Sequence, residues 1–424
     1  MTSTCNSPEG LISPRLISRR ARAVVIIAVL PFLSGWDTAA GCPRLPEATG
    51  FQGRGPVLPL DVRDLDPAVR DLIERLASEV RADPSNAKVH GELGLAYAAN
   101  HLWSEAKRSF TVAGELDSDS YDWRFYRAVA LQNLGKLQAA YLSFAELASQ
   151  YPHSPPLLHR LADSLLESGR TEDAAQIFRD LIEVESELSP GYVGLAECQL
   201  RMGQPRDAVL TLNKALTKDP NYHPAHYLLG TALRHLGRSE EAAEHLERGV
   251  GGSIEYIPDR YASALEKYSV NLPSRLGQAA TLLSAGDYLG ASSLLEETLR
   301  FHPDNVTLLN DLAVVYLRAD QLDLASSRLE QARERDPSHF GTYLNLASLA
   351  MRGHRYEDAL EYSNTATQFA PHLVHPVLSR VSALMALGNS IAAQEALETA
   401  LELNPDHPLL VALARRVAGL APHE

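Results

Sequence analysis

Along most of the chain, apolar residues recur at the three- and four-residue spacing of one helix face, in short segments broken by Gly or Pro. Between 87 and 256, and again between 272 and 407, these segments fall in pairs, and the pair repeats every 34 residues without a slip. Stepping from residue 121 returns Ala128, Ala162, Ala196 and Gly230 at one slot and Ala140, Ala174, Ala208 and Ala242 at a second. The later run returns Ala279, Ala313, Ala347 and Val381, then Ala291, Ala325, Ala359 and Ala393. Small residues at both slots let two antiparallel helices cross closely. Gly135, Gly169, Gly203 and Gly237 sit where the chain turns from the first helix to the second, and glycine accepts the left-handed backbone that ends a helix. Pro152, Pro220, Pro303, Pro337, Pro371 and Pro405 stop second helices. Large residues at Phe110, Phe144, Phe178, Leu212 and Leu246 fill the space between neighbouring pairs.

The first unit, 87–120, carries Leu93-Gly94, Tyr97, Ala106, Phe110 and Ala113 at the spacings L-G-x2-Y and A-x3-F-x2-A. This resembles the tetratricopeptide repeat, with His90 in place of the usual Trp. The resemblance implies an all-α fold, an α-solenoid of nine helix-turn-helix repeats in two runs, five over 87–256 and four over 272–407. Outside the runs, 66–86 reads as a capping half-repeat with Val69, Leu72, Ile73, Leu76, Ala77 and Val80 on one face, 257–271 as an irregular insert, and 408–424 as a C-terminal cap helix.

In this family the first helices line a concave surface that holds other proteins. The resemblance therefore makes Phe125, Val129, Gln132, His159, Asp163, Glu197, Arg201, Tyr227 and Arg234 the candidate groove residues. Their mixture of aromatic, aliphatic and charged groups suits an extended peptide or a helix. The Lys and Asn clamp for a terminal carboxylate is absent, and position 6 of the unit holds one Asn, Asn345, so there is no Asn ladder. The insert carries Tyr256, Tyr261 and Tyr268. It reads either as a tolerated insertion or as an element that contacts a partner or occupies the groove.

The N-terminus reads as an export signal. Arg19, Arg20 and Arg22 precede an uncharged, mostly apolar run from Ala23 to Trp36, too short for a comfortable membrane span. Ala39-Ala40-Gly41-Cys42 resembles the lipobox of bacterial lipoproteins, which implies acylation of Cys42, although Thr38 and Ala40 also fit an ordinary signal-peptidase site. The expectation is an exported chain, anchored by a lipid on Cys42 and facing the periplasm, or secreted or periplasmic if cut by ordinary signal peptidase. Leader 1–42 is followed by a Pro- and Gly-rich tether over 43–65.

Charge and chemistry narrow the function classes. A net charge of -14, from 39 Lys and Arg against 53 Asp and Glu, offers no footing for nucleic acid. No P-loop, dinucleotide fingerprint, zinc-protease helix, nucleophile elbow or paired-cysteine motif occurs, and the repeats leave no room for a catalytic domain. No enzyme activity and no cofactor is expected. His223, His226, His235 and His245 share one repeat without a carboxylate or cysteine at ligand spacing, so they read as packing or solvated side chains. Cys198 reads as a small buried thiol. The function expected is an envelope scaffold or assembly factor for other proteins; the alternative is a regulatory or substrate-presenting subunit of a separately encoded enzyme or electron-transfer protein.

Overall fold

The computed structural model describes residues 55–58, 63–250, 257, 259–405 and 407–418. Cys42, the leader, most of the tether and Tyr256 lie outside the described residues. Among the described residues the regular elements are all α-helices. They form two compact units, one built on Leu72–Tyr268 and the other on Arg63–Asp71 with Ser269–Glu424.

Helix α1 (Pro67–Ala82) opens the chain of helices, and its predicted face is buried, from Val69 to Val80. Its residues to Asp71 belong to the second unit and the rest to the first. Five pairs follow in the first unit: α2 and α3 (Ala87–Ala99, Trp103–Leu116), α4 and α5 (Tyr121–Asn133, Leu137–Gln150), α6 and α7 (Pro155–Glu167, Thr171–Val184), α8 and α9 (Ser189–Arg201, Pro205–Lys218), and α10 and α11 (His223–His235, Ser239–Arg248). The short α12 (Arg260–Glu266) closes the unit. The second unit holds α13 and α14 (Leu272–Ser284, Tyr288–Leu299), α15 and α16 (Val306–Arg318, Leu322–Arg335), α17 and α18 (Phe340–Arg352, Tyr356–Phe369), α19 and α20 (Val374–Ala386, Ser390–Leu403) and a final α21 (Pro408–Ala418). Both runs keep the 34-residue register, because every first helix begins at the predicted first position of its repeat.

The crossing slots behave as their small side chains require. Ala128, Ala140, Ala162, Ala174, Ala196 and Ala208 are wholly buried, as are Ala313, Ala325, Ala347 and Ala359. At Gly230 a Cβ would sit 2.9 Å from the Ala242 carbonyl oxygen and 2.7 Å from Leu246 Cγ, so the α10–α11 crossing leaves no room for a methyl group. Phe110, Phe144, Phe178 and Leu212 fill the inter-pair space with no exposed surface. Leu246 is only half-buried, because α11 has ten residues where α3, α5, α7 and α9 have fourteen. Cys198 is buried as expected, and desolvation pushes its thiol up to about 12.

Within the span read as a tether, the described residues 55–58 meet the first repeat. Val57 is buried and its carbonyl accepts the hydroxyl of Tyr97, a side chain with no solvent exposure that needs an acceptor inside the fold. Asp66 does two jobs at the start of α1. One carboxylate oxygen caps the helix through Ala68 N–H at 2.9 Å, while the other accepts Leu272 N–H at 3.0 Å and lies 3.2 Å from His302 Nε2.

The turn inside each repeat takes a left-handed residue. Six of these are glycines, from Gly135 (φ 68°) to Gly388 (φ 75°), and three are His101 (φ 62°), Asp320 (φ 60°) and His354 (φ 55°). Side chains at positive φ are strained by about 1–2 kcal/mol, somewhat less for Asp. The Asp320 side chain is 84% exposed and its ion pair with Arg352, at 3.5 Å, offsets little of that. Asp320→Gly is therefore expected to raise the stability of the second unit by about 0.5–1 kcal/mol, and Gly169→Ala to lower that of the first by about 1 kcal/mol. Denaturant unfolding of both variants checks the pair; equal and opposite-signed results to these would exclude turn strain as the reason for the glycines.

Candidate functional site

The first helices of the first run form one face, and the nine predicted groove residues divide along it. Asp163 and Glu197 are half-buried, Arg201 and Arg234 are exposed, and Tyr227 has 53% of its surface open. Phe125, Val129, Gln132 and His159 are instead buried, at 8% exposure or less. The reason is the large residue on the second helix of each pair. Phe125 packs edge-on against Phe144 at 5.7 Å between ring centroids, and His159 against Phe178 at 5.8 Å, so in these repeats position 5 faces the interior.

The insert packs beside the same region. Tyr261 of α12 is 3% exposed and lies 4.9 Å, centroid to centroid, from Tyr126 of α4. Asp259 caps α12 by accepting Ala262 N–H at 2.7 Å, and its other carboxylate oxygen stands 4.0 Å from an Arg160 nitrogen, with both side chains at least 90% buried. Beyond the helix, the Tyr268 carbonyl accepts the side-chain amide of Asn100 at 3.0 Å. The segment therefore runs from the third repeat to the first, held by Arg160, Tyr126 and Asn100 in turn. The insert thus packs on the first helices of the first three repeats. Tyr126 and Arg160 stand at position 6 of their units, one place beyond Phe125 and His159. Tyrosines 126 and 261 are both driven above the usual phenol range, first by burial and then by nearby carboxylates.

Beside α12 lies a cavity of about 620 Å³, bounded by Tyr121, Phe125 and Tyr126 of α4, by Tyr151 and Ser154 ahead of α6, and by Asp259 and Tyr261. Past the third repeat the face carries charged side chains together with Tyr227. Arg201 donates to Glu197 Oε1 at 2.7 Å and to the Leu166 carbonyl at 3.2 Å, which fixes the guanidinium across two repeats. On the corresponding face of the second unit, Asn345 donates to Asn310 at 2.9 Å and Asn310 to Thr342 at 2.9 Å, a buried polar link between neighbouring first helices and not an Asn ladder.

Three of the four histidines, His223, His226 and His245, are held in internal hydrogen bonds. His226 Nε2 lies 2.9 Å from the Pro220 carbonyl and must donate to it, so its Nδ1 accepts from His245 Nδ1 at 2.9 Å in the neutral pair. His223 Nδ1 donates to the Arg248 carbonyl at 2.7 Å. Among the described residues no group of three or more His, Cys, Asp or Glu could hold a metal ion.

Sequence models described as tetratricopeptide repeat match residues 131–192 and 282–350, residues 193–256, and residues 378–407. The chain belongs to the tetratricopeptide-repeat family. The BBSome complex member bbs-4 of Caenorhabditis elegans is 23% identical over 272 residues, which cover 64% of this chain and 55% of that protein. The TPR repeat-containing protein YpiA of Bacillus subtilis is 26% identical over 203 residues, 47% of this chain and 44% of the relative. The chain thus spans about half the length of these two relatives. Among solved structures, the hetero-tetramer of Cut9 and Hcn1 from the APC/C is 16% identical over 82% of this chain and 68% of that one, with a TM-score of 0.34. The type IV pilus biogenesis factor PilW is 18% identical over 53% of this chain and 97% of its own, with a TM-score of 0.32. In the tetratricopeptide array of this chain, the turn, crossing and filler slots are those of the family, while the first-helix face is its own.

His159 supplies a test of that face. Burial, then Arg160, lower its pKa to about 4, although the Asp163 carboxylate 3.6 Å from Nδ1 favours the charged ring. A histidine that stays neutral when folded is protonated first in the unfolded chain, so stability should fall as pH drops from about 6.5 to about 4, with an upper bound of roughly 3 kcal/mol. His159→Gln should flatten the unfolding profile of the first unit over that window, as read by urea titration at several pH values. An unchanged slope would exclude His159 as its source.

Proposed function

We propose that this chain is a non-catalytic scaffold or assembly factor of a bacterial cell envelope, and that the first-helix face of its first run binds an extended peptide or helix of another protein. Tetratricopeptide-repeat proteins mediate protein–protein interactions and assembly. The observation that carries the reading is α12 itself. A short helix with an acidic cap and a buried aromatic ring is already docked on this face, held by Arg160 and Tyr126, so the face has the chemistry to receive a helix. Burying a ring of that size contributes about 2–3 kcal/mol. In this reading α12 stays in place as one wall, and the partner lies along repeats three to five, over Asp163, Glu197, Arg201, Tyr227 and Arg234. Aromatic and arginine side chains of this kind concentrate binding energy in few positions.

The test uses a photo-crosslinking phenylalanine analogue in place of Tyr227 on α10, or of Leu210, 65% exposed on α9. Cells expressing each full-length protein should give a discrete adduct from position 227 and none from 210. That adduct should weaken at least tenfold when Arg201→Ala and Arg234→Ala are added. Adducts from 210 alone, or adducts indifferent to both arginines, would move the partner off this face.

The envelope half of the proposal rests on the leader, where the basic cluster, the short apolar run and Cys42 motivate export and acylation. The lipid on Cys42 would place the tetratricopeptide array on the periplasmic side of a membrane. Fractionation with mass spectrometry of the mature N-terminus should find a chain beginning at acylated Cys42, and Cys42→Ser should leave the protein soluble or unprocessed. A full-length, unacylated wild-type chain inside the cell would overturn export.

A further inference from the structure

The buried side of α12 is a continuous stripe. Tyr261 and Tyr268 are 3% and 4% exposed, and Ala264 and Leu265 between them are half-buried, while Arg260, Ala262, Ser263, Glu266 and Lys267 face solvent. Positions 261, 264, 265 and 268 stand at i, i+3, i+4 and i+7, the anchor spacing of an amphipathic helix laid in a groove. Tyr268 keeps this register past the end of the helix because its N–H donates to the Leu265 carbonyl at 2.9 Å. The surface beneath is made by first helices: α12 packs against α2 and α4, and Arg160 comes from α6. Polar groups fix the two ends of the segment, Arg160 at 4.0 Å from Asp259 at its start and the Asn100 amide at 3.0 Å from the Tyr268 carbonyl at its finish. A carboxylate taken out of water needs a countercharge, so Arg160 suits an acidic helix cap over a neutral one. Helices of other proteins dock in this way, and here the helix belongs to the chain itself.

We propose that α12 is an autoinhibitory element: it occupies the first-helix face of repeats one to three as a built-in ligand, and closes it to helices of other proteins that carry the same pattern. That pattern is Asp-x-Tyr-x2-Ala-Leu-x2-Tyr, read from Asp259 to Tyr268. The inference rests on the reading that this face receives helices, and it adds that α12 confines them to the open part. A tethered helix acts at an effective concentration on the order of 1 mM. A free copy of the same helix therefore binds the native chain with an apparent Kd of about 1 mM or weaker, whatever its affinity for the emptied face.

The test is fluorescence anisotropy with a labelled peptide of residues 257–270, held helical by a covalent link between positions 262 and 266 on its exposed side. The full chain with Tyr261→Ala and Tyr268→Ala loses both ring anchors of α12 and changes no residue of the repeats. It should bind the peptide at least tenfold more tightly than the wild type, with its helical circular dichroism retained. In that variant, adding Arg160→Gln to the protein or Asp259→Asn to the peptide should each weaken binding at least threefold. The two together should cost no more than either alone, because each removes the same contact, whereas damage to the fold would add to the peptide change. Equal binding by wild type and variant, binding by neither, or losses that add would each overturn the proposal. A concentration-dependent dimer of the wild type that Tyr261→Ala abolishes would place α12 on a second copy and overturn the contact in cis. The crosslink from position 227 is read separately, so failure of the peptide with that adduct intact leaves the scaffold reading standing.

Discussion

Each repeat depends on one close approach, the crossing of its two helices over a pair of residues with almost no side chain. Ala162 and Ala174 have no exposed surface, and at Gly230 even a methyl group would meet the Ala242 carbonyl. That crossing brings the second helix near enough for Phe144 or Phe178 to reach under the first, which in turn buries position 5 of the same repeat. A single pair cannot bury both its faces, so the next pair completes it, and stability becomes a sum over neighbours. The polar requirements follow the same geometry. Helix ends meet at turns where one residue must be left-handed, and Gly, His or Asp supplies it.

The two units use their first-helix faces differently. In the second unit the face is joined internally, through Asn345, Asn310 and Thr342. Tyr316 and Arg328 meet at Glu296, with the Tyr316 hydroxyl donating at 2.8 Å and pushed up to about 12 by burial and by that carboxylate. In the first unit the face divides between a covered part and an open one. The first three repeats are lined by α12 and its flanks, and the last two present Arg201, Tyr227 and Arg234 to solvent. A segment already docked in cis competes with any partner for the covered part at the high effective concentration of a tethered group. The open part has no such segment on it among the described residues.

The array was legible in the sequence because its constraints are local and repeated. A 34-residue period fixes helix starts, the Ala and Gly slots mark the crossings, and Gly135 or Gly169 marks the turn, each by a rule that involves residues of one repeat and its neighbour. The buried stripe of α1, from Val69 to Val80, was legible for the same reason. The face was legible in part. Arg201, Tyr227 and Arg234 stand exposed where the family pattern places contacts, but Phe125, Val129, Gln132 and His159 are buried, and at Phe125 and His159 what covers position 5 is a large residue some twenty positions away.

By itself, then, the sequence determined the helix pairs, their register and the division into two runs, since each follows from spacing along the chain. Only the tertiary structure decided that Arg160 meets Asp259, that Tyr126 meets Tyr261 and that Val57 answers the hydroxyl of Tyr97. None of these pairs has a periodic signature. Asp259 and Tyr261 are an ordinary cap and an ordinary aromatic residue until the chain folds back on its own first helices, and the cavity they help enclose exists only after that return. The physical reason is that repeat packing is set by neighbours in sequence, whereas a face is set by whatever distant segment buries more surface on it than water leaves exposed.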